Sequence, residues 1–238
     1  MKESVFVLNE FLWKIARVMK FLIAAFLFFS CSKESGINQI EQKFLAEGLI
    51  DVQKYDENIK VDLVNSDSNR NFFGKDFYDG LKRCYVRKEL AVKLSGASKI
   101  LKGINKSYFL MVYDGARPRS VSQQMFDQLK NTPLKKYVAD PKFGSMHNYG
   151  AAVDVVIVDE KEMEIDMGLN PFRKNKLQLV KLLYDMKAKK NLTEEQNKNR
   201  NLLRNVMTKA GFYPIEIEWW HFEIERKEII RKKFRIIE

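Results

Sequence analysis

Residues Ser145-Met146-His147-Asn148-Tyr149-Gly150-Ala151-Ala152-Val153-Asp154 lead from a polar turn into an apolar run that continues as Val155-Val156-Ile157-Val158. A β-branched run of this length reads as a buried strand over 152–158, with one acid, Asp154, set inside it. Gly150 lets the chain turn between a loop-borne His147 and the strand-borne Asp154. Along that strand Ala152, Asp154 and Val156 share one face, and Val153 and Val155 share the other. A second cluster, Glu218-Trp219-Trp220-His221, falls in an aromatic-rich stretch over 215–224 that reads as the final strand. His147 and His221 are the chain's two histidines, and each lies near a carboxylate. Glu218 and His221 are three residues apart, which in a regular strand puts them on opposite faces. Their convergence therefore requires a bend or bulge, and one is expected there.

Elsewhere helices and strands alternate without a βαβ rhythm. Leu81, Cys84, Leu90, Ala91, Leu94 and Ile100 are spaced for a helix over 80–100, ended by Gly103, with Cys84 buried inside it. Residues 108–113 (Tyr-Phe-Leu-Met-Val-Tyr) form a short buried strand, and residues 120–129 and 176–187 read as helices. Thr193-Glu194-Glu195-Gln196 is a capping-box pattern that opens a helix to about Ala210, where Gly211 supplies the stop. The expected fold class is α+β, a small and mainly antiparallel sheet flanked by helices. The expected layout is a leader over 1–31, a tether and start of the fold over 32–58, and one domain over 59–238.

The 238 residues carry 42 Lys+Arg and 31 Asp+Glu, a net charge of +11, with 45% apolar residues. That composition can fill a core, which excludes general disorder, and no repeat suggests a solenoid or propeller. Two cysteines, Cys31 and Cys84, cannot build a disulfide scaffold or a cysteine-based zinc finger. The basic excess is spread over 187–190, 226–235 and single sites without an aromatic-interleaved motif, so no nucleic-acid partner is expected. Residues 19–31 (Met-Lys-Phe-Leu-Ile-Ala-Ala-Phe-Leu-Phe-Phe-Ser-Cys) have a basic start and a short apolar run before a small residue, the pattern of a secretory signal. Residues 21–30 cover half of the roughly 20 needed to span a bilayer. Cys31 after Leu27-Phe28-Phe29-Ser30 resembles a bacterial lipoprotein signal, which implies lipidation of Cys31, an exported chain and a membrane surface as partner. Lys14 and Arg17 extend its basic region, unless Met19 is the start; the bland alternative is a buried apolar helix. Removing residues 1–30 takes away Lys2, Lys14, Arg17, Lys20, Glu3 and Glu10 and leaves a net charge of +9.

Two imidazoles and one carboxylate are a frequent catalytic zinc set that leaves a fourth position for water. His147, Asp154 and His221 supply that set, and Glu218 beside it suits a general base. Each cluster alone is more simply structural: a satisfied core histidine, or Asp154 as a buried ion-pair partner. Together they use both histidines, and the metal reading prevails.

The pattern Ser-x-His-x-x-Gly-x-Ala-x-Asp followed by Glu-x-x-His resembles the zinc D-Ala-D-Ala dipeptidases and carboxypeptidases of cell-wall metabolism. Glu218-Trp219-Trp220-His221-Phe222 is closer to the vancomycin-resistance-type dipeptidase branch, since the carboxypeptidases typically have Pro after the Glu. Asn71-Phe72-Phe73-Gly74 before a Tyr-bearing helix with Arg83-Cys84, Asp114-Gly115-Ala116-Arg117-Pro118, Asp166-Met167-Gly168, Phe172 and the helix over 199–212 extend the likeness over most of 60–224. The resemblance implies one Zn²⁺ on His147, Asp154 and His221, with Glu218 as base and later as acid to the leaving amine. It implies Arg117 on the oxyanion, and Ser145 and Asp166 on the dipeptide termini, although Asp-Met-Gly is equally good turn chemistry. Asn65 and Ala116 stand where the family carries Tyr, so the substrate expected is D-Ala-D-Ala or a close dipeptide. The rivals are a D,D-carboxypeptidase or endopeptidase on longer wall peptides, and a surface binding module on the same fold.

Overall fold

A computed structural model describes residues 38–132, 135, 138–168 and 192–238. The expected leader with Cys31, the expected helix over 176–187 and Phe172 lie outside the described residues. In chain order the elements are α1 (Gln39–Ala46), β1 (Ile50–Asp51), α2 (Val52–Tyr55), β2 (Lys60–Val61), β3 (Tyr85–Val86), α3 (Lys88–Ile104), β4 (Phe109–Asp114), α4 (Arg119–Leu129), β5 (Ala152–Val158), α5 (Glu194–Lys209), β6 (Tyr213–Pro214), β7 (His221–Glu223) and α6 (Lys227–Lys233). The class is α+β, as expected. One sheet has the order β2-β4-β5-β7-β6, and β1 pairs with β3 separately. The large sheet is mixed: β2 runs parallel to β4, and the other three pairings are antiparallel.

β5 sits in the middle of the large sheet, and all seven of its residues are buried. That explains its nearly continuous apolar run, because both faces are covered. Val153, Val155 and Ile157 join Leu110 and Val112 of β4 in the main core, against Leu90, Leu94 and Leu101 of α3 and Leu203, Val206 and Met207 of α5. Each of the buried leucines contributes roughly 1.5–3 kcal/mol of burial free energy. On the opposite face Val156 and Val158 pack with Val64, Met111 and Tyr113, so Asp154 points away from the main core as its alternation requires. α5 opens on the capping box read from the sequence, Gln196 N to Thr193 Oγ1 at 3.1 Å and Thr193 N to Gln196 Oε1 at 3.0 Å.

Two expectations need correction. The helix expected over 80–100 begins at Lys88 and runs to Ile104, one residue past Gly103. Asp79 and Gly80 adopt positive φ, and Tyr85–Val86 pairs with Ile50–Asp51 as a strand, so Cys84 is buried in the preceding loop rather than in a helix. Of the strand expected over 215–224 only β7 forms, after turns and bends over 215–220, and the short β6 lies just before that stretch. The segment 32–58 contributes packed structure from Asn38 onward, with Phe44, Leu49 and Val52 in the main core. Among the described residues no helix is long and apolar enough to cross a membrane.

Candidate active site

The local folding of two turns brings the chemistry together. Met146–Tyr149 is a 3₁₀ turn N-capped by Ser145, and Gly150 closes it at φ 65°, ψ 23°. Asn148 Oδ1 accepts from Ser145 N at 2.8 Å, completing a capping box. A Cβ on Gly150 would lie 2.9 Å from Leu49 Cδ2, in a left-handed conformation that already disfavours a side chain. At the second turn His221 N bonds Glu218 O at 3.2 Å. This is the backbone reversal that the Glu218–His221 spacing demanded, and it brings Glu218 Oε2 to 3.8 Å from His221 Nδ1.

Between these turns, β7 pairs with β5 so that His221 lies opposite Asp154. His147 Nε2 and His221 Nδ1 are 3.1 Å apart, and Asp154 Oδ1 lies 3.0 Å from His221 Nδ1 and 3.4 Å from His147 Nε2. All three residues are buried. Zn–N and Zn–O distances of about 2.0–2.2 Å imply a tetrahedron with edges of about 3.3–3.6 Å, close to this triangle. The outer ring nitrogens strengthen the match. His147 Nδ1 meets Gly115 O at 2.7 Å, and His221 Nε2 faces Glu223 Oε1 at 3.5 Å. Those acceptors hold the protons outward, so the inner nitrogens turn lone pairs toward each other and toward a carboxylate. Such a convergence of acceptors calls for a cation, and the donor set suits zinc. Among the described residues this is the group of three or more His, Cys, Asp or Glu placed to hold an ion.

The same carboxylates favour the charged form of the His221 ring. Burial opposes charging His221, but its bonds to Asp154 and Glu223 outweigh that, and its pKa is pushed up to about 10. Burial likewise opposes the Asp154 anion, while His147 and His221 hold its carboxyl below the usual range. Burial raises the Glu218 pKa, against the pull of His221 and with help from Asp154.

Arg117 follows β4, where a register shift between Val112 and Asp114 turns Asp114 inward opposite Asp154. Asp114 is fully buried and accepts from Arg117 Nε at 3.1 Å, from one Arg117 Nη, from Asn65 Nδ2 at 3.0 Å, from Tyr78 Oη at 2.8 Å and from Gly115 N at 3.0 Å. Burial works against the Arg117 cation, but Asp114 outweighs it and the guanidinium stays charged. Gly115 must be small, since a Cβ there would lie 2.4 Å from Cys84 Sγ.

His147, Asp154, His221, Glu218, Arg117 and Ser145 line one cleft of about 500 Å³. Asp166 does not line it: its carboxylate accepts from Gly168 N at 2.9 Å and from Gln196 Nε2, tying its turn to α5. The sequence reading missed Asp114 as the partner of Arg117, along with Asn65, Tyr78 and Glu223. For Glu223 a signal existed, because it is two residues beyond His221 on one strand face.

A family model described as D-Ala-D-Ala dipeptidase matches residues 46–237. The chain is 29% identical over 162 residues to a D-alanyl-D-alanine dipeptidase of Escherichia coli (strain K12), covering 65% of this chain and 73% of that protein. It is 27% identical over 177 residues to a D-alanyl-D-alanine dipeptidase of Synechocystis sp., covering 61% of this chain and 71% of that protein. With its family's model spanning most of its length and two buried histidines and an aspartate converging at the floor of the cleft, the chain belongs to the D-Ala-D-Ala dipeptidase family of metallopeptidases.

Proposed function

We propose that this chain is a zinc-dependent dipeptidase that hydrolyses D-Ala-D-Ala or a close dipeptide. The observation that carries the reading is the convergence of His147, Asp154 and His221 with Glu218 and Arg117 in one cleft. The three ligands would hold one Zn²⁺, which supplies Lewis acidity toward a carbonyl and toward water. Glu218, raised in pKa by burial, takes the proton of the attacking water and hands it to the departing amine. Arg117 stabilises the oxyanion; Asp114 holds its Nε and one Nη, leaving Nη1 unused by that carboxylate. Ser145, on the cleft wall, is the proposed contact for a peptide terminus, and Asp166, outside the cleft, is given no such role.

A second reading, action on longer wall peptides, is favoured by the size of the cleft. Dialanine displaces on the order of six waters, roughly 180 Å³ at ~30 Å³ each, well below 500 Å³. Phe72, Met125, Leu129 and Phe143 are among its lining residues. From the sequence of residues 19–31, export with lipid on Cys31 completes the proposal. A globomycin-sensitive size shift, absent in Cys31→Ala, tests it, and a soluble cytoplasmic product refutes it.

The decisive assay follows free D-alanine released from D-Ala-D-Ala and from a stem pentapeptide ending in D-Ala-D-Ala, using zinc-loaded chain and its Glu218→Ala variant. Turnover of the dipeptide by the parent alone supports the first reading, and turnover of the pentapeptide alone supports the second. No turnover with stoichiometric zinc points to a binding module and refutes both.

A further inference from the structure

Asn148, next to His147, is fully buried, and its side chain has partners on three segments. Oδ1 accepts from Ser145 N at 2.8 Å, and Nδ2 donates to Arg117 O at 2.8 Å and to Ser122 Oγ of α4 at 2.9 Å. The amide can point only one way, because Oδ1 meets an N–H and Nδ2 meets a carbonyl. His147 adds two links to the same segment: its carbonyl accepts from Arg117 N at 3.0 Å, and its Nδ1 donates to Gly115 O at 2.7 Å.

Arg117 lies past the end of β4 and before α4, outside any ladder or helix. Its backbone N–H and C=O are both satisfied by the 147–148 turn. Segments 115–117 and 145–148 thus form one closed unit. One half carries the imidazole of a candidate ligand, and the other carries the guanidinium. The capping box needs only Oδ1 of Asn148; Nδ2 reaches beyond the turn.

We propose that Asn148 is a positioning residue that fixes His147 relative to Arg117, so that metal affinity and turnover change together when it is altered. This rests on the roles given above to His147 and Arg117. No atom of Asn148 is assigned to the substrate.

Asn148→Asp tests it in the full chain. The carboxylate keeps the shape and the Ser145 bond but turns an oxygen toward the Arg117 carbonyl, so one link becomes a repulsion. Asn148→Ala removes the links without adding a buried charge, and Ser122→Ala removes only the link to α4. Zinc affinity is measured by chelator competition, kcat and KM on D-Ala-D-Ala, and folding by thermal melting without metal. The His147 Nδ1–H resonance of metal-free protein gives a readout independent of turnover.

Both Asn148 variants are expected to lose about 10–100-fold in zinc affinity and in kcat, the range for groups that orient metal ligands, with KM within about threefold. The His147 resonance should shift in both, while Ser122→Ala stays near the parent in every readout. Parent-like zinc affinity and kcat in either folded variant overturn the inference. Loss of the fold in both also overturns it, because Asn148 would then serve general stability. A parent that cleaves no dipeptide refutes the proposed function, while zinc affinity and the ring resonance still decide this inference.

Discussion

The two turns that carry the histidines are secured by different forces. The 145–150 turn is fastened by directional bonds: a capping box, Gly115 O on His147 Nδ1, and Asn148 on Arg117 O and Ser122 Oγ. The 218–221 turn is closed by one 3.2 Å backbone bond, tied to β5 by Val155 N donating to Trp220 O at 3.0 Å, and otherwise supported by ring contacts. Trp219 and Trp220 meet edge to face at 5.4 Å, and Arg200 lies 4.8 Å over the Trp219 ring. Hydrogen bonds fix angles, whereas ring packing fixes position and tolerates small rotations. A ligand needs the first kind of support, and His221 draws it from β7, where it pairs with Asp154 of β5. A carboxylate that collects a proton at one atom and delivers it at another profits from the second.

The sharpest way to break this contrast is Glu218→Gln. It should lower kcat by about 10²–10⁴ while zinc stoichiometry stays at one, since the proposed base is lost and no proposed ligand is. Loss of zinc as well, measured by metal analysis, would mean that Glu218 ligates. His147→Ala acts from the other side. It should weaken zinc binding by more than about 100-fold, beyond the range for outer groups, with activity falling in parallel; chelator competition checks this.

Acidity gives two slopes of opposite sign. The His221 pKa is raised from 6.5 to about 10 in the metal-free fold. The stability it contributes is therefore complete below pH 6.5 and is lost as the pH rises through about 10. Zinc competes with that proton, so its affinity should rise about tenfold per pH unit toward pH 10. Thermal melts without metal and competition titrations with it, both from pH 6.5 to 10, would show the crossing. Equal slopes would refute the raised His221 pKa. The smallest effects compare the fastenings themselves. Ser145→Ala should cost about 1 kcal/mol through the lost cap. Arg200→Ala should cost about 0.5–1 kcal/mol through the lost cation–π contact, with the Ser145 variant alone weakening zinc.

Much of the floor of the site was legible because few residues could build it. Two histidines, one acid inside an apolar run and a three-residue Glu–His spacing left little freedom, and the expected bend at 218–221 is present. The surrounding polar network was not legible. Asp114 draws Asn65 and Tyr78 from 49 and 36 positions away, and nothing in local composition announces such partners. Position 84 misled for the opposite reason. Leu81 and Cys84 fit a helical stripe locally, but strand pairing of Tyr85–Val86 with Ile50–Asp51 overrides that pattern. The stretch 215–224 misled similarly, because aromatic content cannot distinguish a strand from the turn that interrupts it.

The two imidazoles also differ in what evolution or an engineer can reach. His147 is oriented by the main-chain oxygen of Gly115, which every amino acid possesses, so no substitution at that position deletes the acceptor. His221 faces a side chain, Glu223, which a single codon change converts to an amide or a hydrocarbon. One ring has its basicity written into the path of the backbone; the other has an adjustable dial. Variation in the proposed metal affinity among versions of this chain should therefore accumulate at position 223 rather than at 115.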